Sequence, residues 1–185
     1  MQEFLWNPDL FKRHVEKHHE NALWIVVPDF VADKERTIAS WYEWEPWLRQ
    51  FNRPLAFAVQ NSMVPSDIPA SADIIFVGGT DEWKLTTAAF WCSQFTRVHI
   101  ARVNTWQRLI MCHKWGAESV DGTGWFRGSL YEQAQDLLLY LRWQIGLVPE
   151  LNKFWNNAEN LSLTARKSLL NQPDNCQQLL FSTNT

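Results

Sequence analysis

The sequence predicts an α/β protein built on a parallel sheet of about five strand–helix units. Five short, nearly continuous apolar runs have the form of strands that are buried on both faces. Helix-like segments with short connections separate these runs, which favours right-handed crossovers between parallel neighbours. We therefore expect the strands side by side in chain order, at 22–28, 54–59, 73–77, 97–103 and 117–120.

Helices are predicted in the segments between and around these strands. The helix over 33–51 contains Pro46, which is expected to break or kink it. Ser129, followed three residues later by Glu132, has the form of a capping box for a helix that runs to Gly146. The other helices are predicted at 9–20, 80–95, 105–115 and 162–170. Residues 1–150 are expected to form the α/β domain, and 151–185 a helical extension with a polar tail.

Composition excludes several classes of protein. The chain has 185 residues with 17 Lys+Arg against 20 Asp+Glu, and its net charge of −3 argues against a protein that binds nucleic acid with its whole surface. No apolar run approaches the roughly 18 residues of a membrane-spanning helix, and the first residues lack a signal-peptide pattern. We therefore expect a cytoplasmic protein that does not associate with membranes.

Cysteine, histidine and tryptophan indicate packing rather than a metal centre. The three cysteines lie too far apart in the chain for a Cys-x-x-Cys site, so reduced thiols are expected. His14 and His18 lie one helical turn apart with no further ligand nearby, so a solvated helix face is favoured and no metal is predicted. Twelve tryptophans are spread along the chain, which favours core positions with one N–H partner each over stacking on nucleic-acid bases.

Polar residues follow the predicted strands at their carboxyl ends, where parallel α/β proteins place their sites. These residues are Asp29, Gln60, the pair Gly78–Gly79, and Asp121. Together they could recognise a planar heterocycle, because a carboxylate accepts from ring N–H groups, an amide donates to a carbonyl, and glycine permits close backbone approach. Taken singly, the two aspartates are equally typical of caps and the glycines of a tight turn.

The order of these segments resembles the second part of the TIM barrel of the guanine transglycosylases, a family that includes the queuine and archaeosine tRNA transglycosylases. The resemblance covers about residues 20–128. The segments HIARVN and SVDGTGW are closest to the phage and bacterial enzymes that place 7-deazaguanines in DNA. The resemblance is carried by Asp29, by Glu35-Arg36-Thr37 and Trp41, and by the segments FAVQ, FVGG and AESVD.

The resemblance implies a partial TIM-barrel-like sheet and a role for each strand-end residue. Asp29 and Gln60 would hold the edge of guanine or 7-deazaguanine, the Gly78–Gly79 backbone would meet its carbonyl, and Asp121 would be the nucleophile at C1′. No cofactor is implied. Contacts to phosphates or nucleic acid are expected from Lys84, Arg102, Asn104 and Lys114, although single cations are also typical of an ordinary surface.

The sequence also departs from the family. A complete barrel has eight strands, whereas five are predicted here, so a second chain or a second copy is expected to complete it. The family's Asp-Ser-Gly-Gly-Phe-Gln segment and the Cys-x-Cys-x-x-Cys zinc site of the tRNA enzymes have no match, which favours DNA over tRNA as the substrate. A phage-encoded protein would act in the host cytoplasm.

Three hypotheses follow from the sequence. The first is a base-exchanging transglycosylase, or a subunit of one. The second is a noncatalytic partner subunit that only binds a nucleobase. The third is an unrelated α/β domain that binds phosphate at Gly78–Gly79.

Overall fold

The protein is an α/β protein whose five strands form one parallel sheet. A computed structural model describes residues 6–124 and 130–149. Every neighbouring pair of strands is parallel, the strand order follows the chain, and the sheet curls as an open half barrel. The predicted parallel, sequential arrangement is confirmed. The strands are β1 (Ile25–Val26), β2 (Leu55–Val59), β3 (Ile74–Val77), β4 (Val98–Ile100) and β5 (Ser119–Val120).

Three strands are much shorter than predicted: β4, which has three residues where seven are expected, and the two outer strands. β1 has two residues where seven are expected, and β5 has two where four are expected, whereas β2 matches within one residue. Parts of the predicted runs lie outside the ladder and are exposed, as Leu23 and Glu118 are. An apolar run predicts a buried strand, but it does not fix how many of its residues join a hydrogen-bonded ladder.

Five α-helices accompany the sheet in the described part of the chain. Their predicted positions are confirmed within a few residues. Of the break or kink expected at Pro46, the break does not occur, because the helix that contains this proline continues to Leu48. Trp41, Trp44 and Leu48 are buried along this helix, and their burial offsets the roughly 3 kcal/mol cost of an internal proline. Ser129 and the predicted helix 162–170 lie outside the described residues. The helices are α1 (Pro8–His18), α2 (Lys34–Leu48), α3 (Asp81–Gln94), α4 (Trp106–Trp115) and α5 (Leu130–Gln144).

The interior is built from β2 and from tryptophans. Every residue of β2 is buried, and Phe57 meets the Trp41 ring edge-on at 5.4 Å between centroids. Trp41, Trp91 and Trp106 are fully buried and Trp44 is nearly so, but most of the other described tryptophans are half-buried and Trp6 is exposed, so the predicted core role holds for only part of the set. The expected N–H partner is missing for the three fully buried rings, since among the described residues these three indole groups have no hydrogen-bond acceptor.

The chain divides into two compact units, and this division crosses the predicted domain 1–150. Among the described residues, the first unit holds 6–101 and 115–120, which include the whole sheet. The second holds 102–114, 121–124 and 130–149. None of the described helices combines the length and the apolar character needed to span a membrane. Cys92 and Cys112 are free thiols as expected, and burial raises the pKa of Cys92 to about 11.

Ion pairs in the first unit hold the segments that precede the central strands. Asp73 accepts from the Leu55 N–H at 2.8 Å and from Arg49 at 2.6 Å, and Arg97 makes a bidentate pair with Glu118. Burial by itself would raise the pKa of Asp73. The Leu55 hydrogen bond and the Arg49 charge outweigh burial, so the pKa of Asp73 lies below its ordinary value. The Arg97 hydrogen bond lowers the pKa of Glu118 in the same way.

These lowered pKa values predict a loss of stability in acid. A carboxylate with a depressed folded-state pKa stabilises the fold above its unfolded pKa, about 4, and this contribution disappears as the pH falls through the folded-state pKa. We expect Asp73→Asn to destabilise the protein at pH 7 and to flatten this acid dependence. Glu16→Gln, an exposed change on α1, is the charge control. Urea unfolding between pH 2 and 7 measures the free energy of unfolding of wild type and of each variant. Parallel pH profiles for wild type and Asp73→Asn would contradict the prediction.

Candidate functional site

Gln60, at the carboxyl end of β2, connects three strand-end segments of the first unit. Its side chain is 0% exposed. Its Oε1 accepts from the Ala32 N–H at 2.9 Å and from the Gly79 N–H at 3.0 Å, and its Nε2 donates to Asp29 Oδ2 at 2.7 Å. We call Asp29, Ala32, Gln60 and Gly79 the Gln60 clamp. Because two N–H donors face Oε1, the amide has one satisfactory orientation, which aims its donor at Asp29.

The residues before and after Asp29 are both hydrogen-bonded to side chains of α2. Ser40 Oγ donates to the Pro28 carbonyl at 2.6 Å, and the Thr37 hydroxyl bonds both the N–H and the carbonyl of Phe30. Asp29 therefore lies between two residues whose backbones are tied to one helix. The sequence prediction missed this support, although the i, i+3 spacing of Thr37 and Ser40 places both on one helix face.

The glycine pair is required by close packing around the clamp. A Cβ at Gly78 would lie 2.8 Å from Gln60 Nε2, and one at Gly79, whose φ is +73°, would lie 2.7 Å from Asn61 Oδ1. Both N–H groups donate within the protein, Gly78 to the Val59 carbonyl and Gly79 to Gln60. The donors that the resemblance assigns to a base carbonyl are thus engaged, and the same engagement argues against a phosphate cradle at this turn.

Asp29 also lines a pocket of about 410 Å³ in the first unit, beside α1 and α2. Its walls include the aromatic rings of Trp6, Phe30 and Trp44, and Glu43 contributes a second carboxylate. This volume lies within the range of small-molecule sites. The sequence prediction did not identify this pocket, because its walls come from residues that are far apart in the chain.

Comparisons with protein-family models, with curated proteins and with solved structures found no match.

The second unit contains Asp121, which directly follows β5 in the chain. Asp121 Oδ1 accepts from the Arg102 N–H at 2.8 Å, and its carbonyl accepts from the Val103 N–H at 2.6 Å. Arg102 has φ +56°, an uncommon conformation for a residue with a side chain. The carboxylate therefore supports the strained backbone at Arg102, which is close to the capping role that the sequence left open for Asp121.

The small residues after Asp121 permit close packing against the segment that follows β4. A Cβ at Gly122 would collide with the Val103 carbonyl, and one at Gly124 would lie 2.7 Å from Asn104 Cβ. Asn104 Oδ1 accepts from the Gly124 N–H at 2.8 Å. The side chain of Asn104, expected to contact nucleic acid, thus holds the turn that carries Asp121.

The expected phosphate-binding cations have different environments. Lys84 is 2% exposed and its Nζ lies 3.1 Å from Asp81 Oδ1, whereas a cation on the rim was expected. It shares the inward face of α3 with Ala88 and Trp91, at i, i+4 and i+7. Arg102 and Lys114, in the second unit, are exposed. Exposure is expected both of an ordinary surface cation and of one that contacts phosphate.

Metal ligation has no support in the described part of the chain. No group of three or more His, Cys, Asp and Glu side chains there is arranged to hold an ion. His14 and His18 stack with ring centroids 6.0 Å apart. The chemistry available at the site is therefore that of carboxylates, above all the oriented carboxylate of Asp29.

Proposed function

We propose that this chain recognises a guanine-type nucleobase through Asp29 and takes part in a base-exchange transglycosylation that replaces guanine in DNA by a 7-deazaguanine. The observation that carries the proposal is the 2.7 Å hydrogen bond from Gln60 Nε2 to Asp29 Oδ2. It fixes the orientation of a carboxylate at the carboxyl end of the sheet, where parallel α/β proteins bind their ligands. The sequential half barrel is compatible with part of a TIM barrel.

A carboxylate suits this base because of the donors that guanine presents. The ring N–H and the neighbouring exocyclic amino group of guanine point in the same direction, and a carboxylate accepts two such parallel hydrogen bonds. 7-Deazaguanines keep both donors. In this proposal Gln60 positions Asp29 and does not itself contact the base, because its oxygen already accepts from Ala32 and Gly79.

The proposed reaction exchanges one C1′ bond for another in two steps. A carboxylate oxygen of Asp121 attacks C1′, the bond from C1′ to guanine N9 breaks, and guanine leaves with the bonding pair and takes up a proton. The incoming 7-deazaguanine then attacks C1′, loses its ring proton, and releases the aspartate. Two inversions give net retention. The scheme requires neither a cofactor nor a metal.

The proposal includes a partner that completes the barrel. In the described part of the chain the sheet ends at β1 and β5, and unpaired strand edges favour pairing with another chain. We propose a second polypeptide or a second copy of this chain in that role. DNA is favoured over tRNA as the substrate, and the cytoplasm, or the host cytoplasm for a phage protein, as the place of action.

A second candidate function is a noncatalytic subunit that binds the base and leaves chemistry to a partner. The observation that favours it is the hydrogen bond from the Arg102 N–H to Asp121 Oδ1, which gives the Asp121 side chain a structural role that needs no nucleophilic chemistry. This candidate shares the base-binding site at Asp29. It differs in expecting binding without exchange.

Base binding is tested by calorimetric titration of the full chain with guanine and with 7-cyano-7-deazaguanine. We expect Asp29→Asn to weaken both at least about tenfold, because a charged acceptor is replaced by an amide. Asp33→Asn is the matched control. It removes the same charge four residues away, and asparagine caps α2 as well as aspartate does. Equal affinities for wild type and Asp29→Asn would contradict the proposal, as would equal binding of adenine.

A further inference from the structure

We propose that the pocket beside α1 and α2 binds a small organic cation, an alkylammonium group. The pocket measures about 410 Å³ and belongs wholly to the first unit. Three aromatic rings, Trp6, Phe30 and Trp44, form part of its wall, and Asp29 and Glu43 supply two carboxylates. Aromatic faces combined with negative charge are the chemistry that selects an ammonium cation over a neutral molecule of the same shape.

The charges around the pocket support this choice. Its lining in the described part of the chain contains no lysine, arginine or histidine. Glu43 is exposed, and no ion pair among the described residues involves it. A bound cation would therefore meet the Glu43 carboxylate without breaking an ion pair of the described residues.

Two of the pocket's aromatic rings already attract cations of the chain itself. Lys12 Nζ lies 5.6 Å from the Trp44 ring centroid, and Arg36 Cζ lies 3.8 Å from that of Phe30. Trp6 packs edge-on against Trp44 at 5.9 Å and is 52% exposed, so it forms a wall that solvent reaches. Trp44, on the same pocket, is buried against the core.

The inference goes beyond base exchange and is tested without it. Asp29 is shared by the two proposals, so the informative variants are at Trp6 and Glu43, which have no role in the exchange scheme. The probe is choline, and the control ligand is 3,3-dimethylbutan-1-ol, which has the same shape without the charge.

The experiment is a titration of the full chain followed by ¹⁵N–¹H spectra of its twelve indole N–H groups. We expect choline to shift the signals of Trp6 and Trp44 with millimolar affinity, and the neutral isostere to leave them in place. Trp6→Phe assigns the first signal by its loss. We expect Glu43→Gln to weaken choline binding about two- to fivefold, as a partly exposed charge pair does. Glu16→Gln, which removes the same charge from an exposed position of α1, should not weaken it.

Three results would overturn the inference. They are equal shifts with choline and its neutral isostere, unshifted Trp6 and Trp44 signals at choline concentrations of tens of millimolar, and equal choline affinities for Glu43→Gln and Glu16→Gln. Loss of choline binding with intact guanine binding would refute this inference alone. Loss of guanine binding with intact choline binding would refute the proposed base site alone.

Discussion

Asp121→Asn is expected to abolish incorporation of labelled guanine into DNA while leaving the protein folded. An amide oxygen is not a nucleophile at C1′, so the covalent step is lost and exchange should fall by about a thousandfold or more. Asparagine keeps the Oδ1 atom that accepts from the Arg102 N–H, and it keeps the side-chain volume. The thermal midpoint should therefore stay close to that of wild type, and guanine binding through Asp29 should persist.

The assay uses the full chain, alone and together with the proteins that co-purify with it from its source. Asp33→Asn, which keeps the cap of α2, controls for the loss of one negative charge. Exchange that survives in Asp121→Asn would place the nucleophile elsewhere. If wild type binds guanine but shows no exchange in any of these mixtures, the noncatalytic subunit becomes the function that the observations support.

Gln60→Leu is expected to cause the largest loss of stability, about 2–4 kcal/mol in the free energy of unfolding. Leucine has a similar size but removes the acceptor of the Ala32 and Gly79 N–H groups and the donor to Asp29. The Gly79 hydrogen bond is buried, and an unsatisfied buried N–H costs about 1–3 kcal/mol. Urea unfolding measures the loss, and guanine binding should weaken with it because Asp29 is no longer oriented.

Two variants sharpen this test. Gln94→Leu, at the exposed end of α3, makes the same chemical change and should alter the free energy of unfolding by less than about 0.5 kcal/mol. Gln60→Glu keeps the acceptor of the Ala32 and Gly79 N–H groups but sets a carboxylate oxygen, in place of the Nε2 donor, against Asp29, so the two carboxyl groups must share a proton. Its stability should therefore fall as the pH rises. A Gln60→Leu protein as stable as wild type would show that the clamp contributes nothing to the fold.

Several features of the fold could be predicted from the sequence because they depend on local patterns. Apolar runs of strand length separated by helical segments predicted the sheet, its parallel direction and its order. The caps of α2 and α3 are also local features, because the side chains of Asp33 and Thr80 accept hydrogen bonds from N–H groups three residues further along the chain. The polar residues at the strand ends were recognisable from their position alone.

The same patterns could not assign roles to those polar residues. Gln60 bonds Asp29 across 31 positions of the chain and Ala32 across 28, so its engagement depends on how the strands align. Lys84 was expected on the rim, but the packing of α3 on the sheet buries it. Pro46 was expected to break α2, and the tertiary burial of Trp44 and Leu48 keeps the helix continuous.

The sequence by itself determined the class of the protein and the order of its strands, because periodicity is a local property. Only the tertiary structure decided that Gln60 connects three strand ends and that the N–H groups of Gly78 and Gly79 donate within the protein. It also decided that Trp6, Phe30 and Glu43 line one pocket. The physical reason is that a polar group takes whichever partner the fold brings within about 3 Å, and residues distant in the chain supply most of those partners.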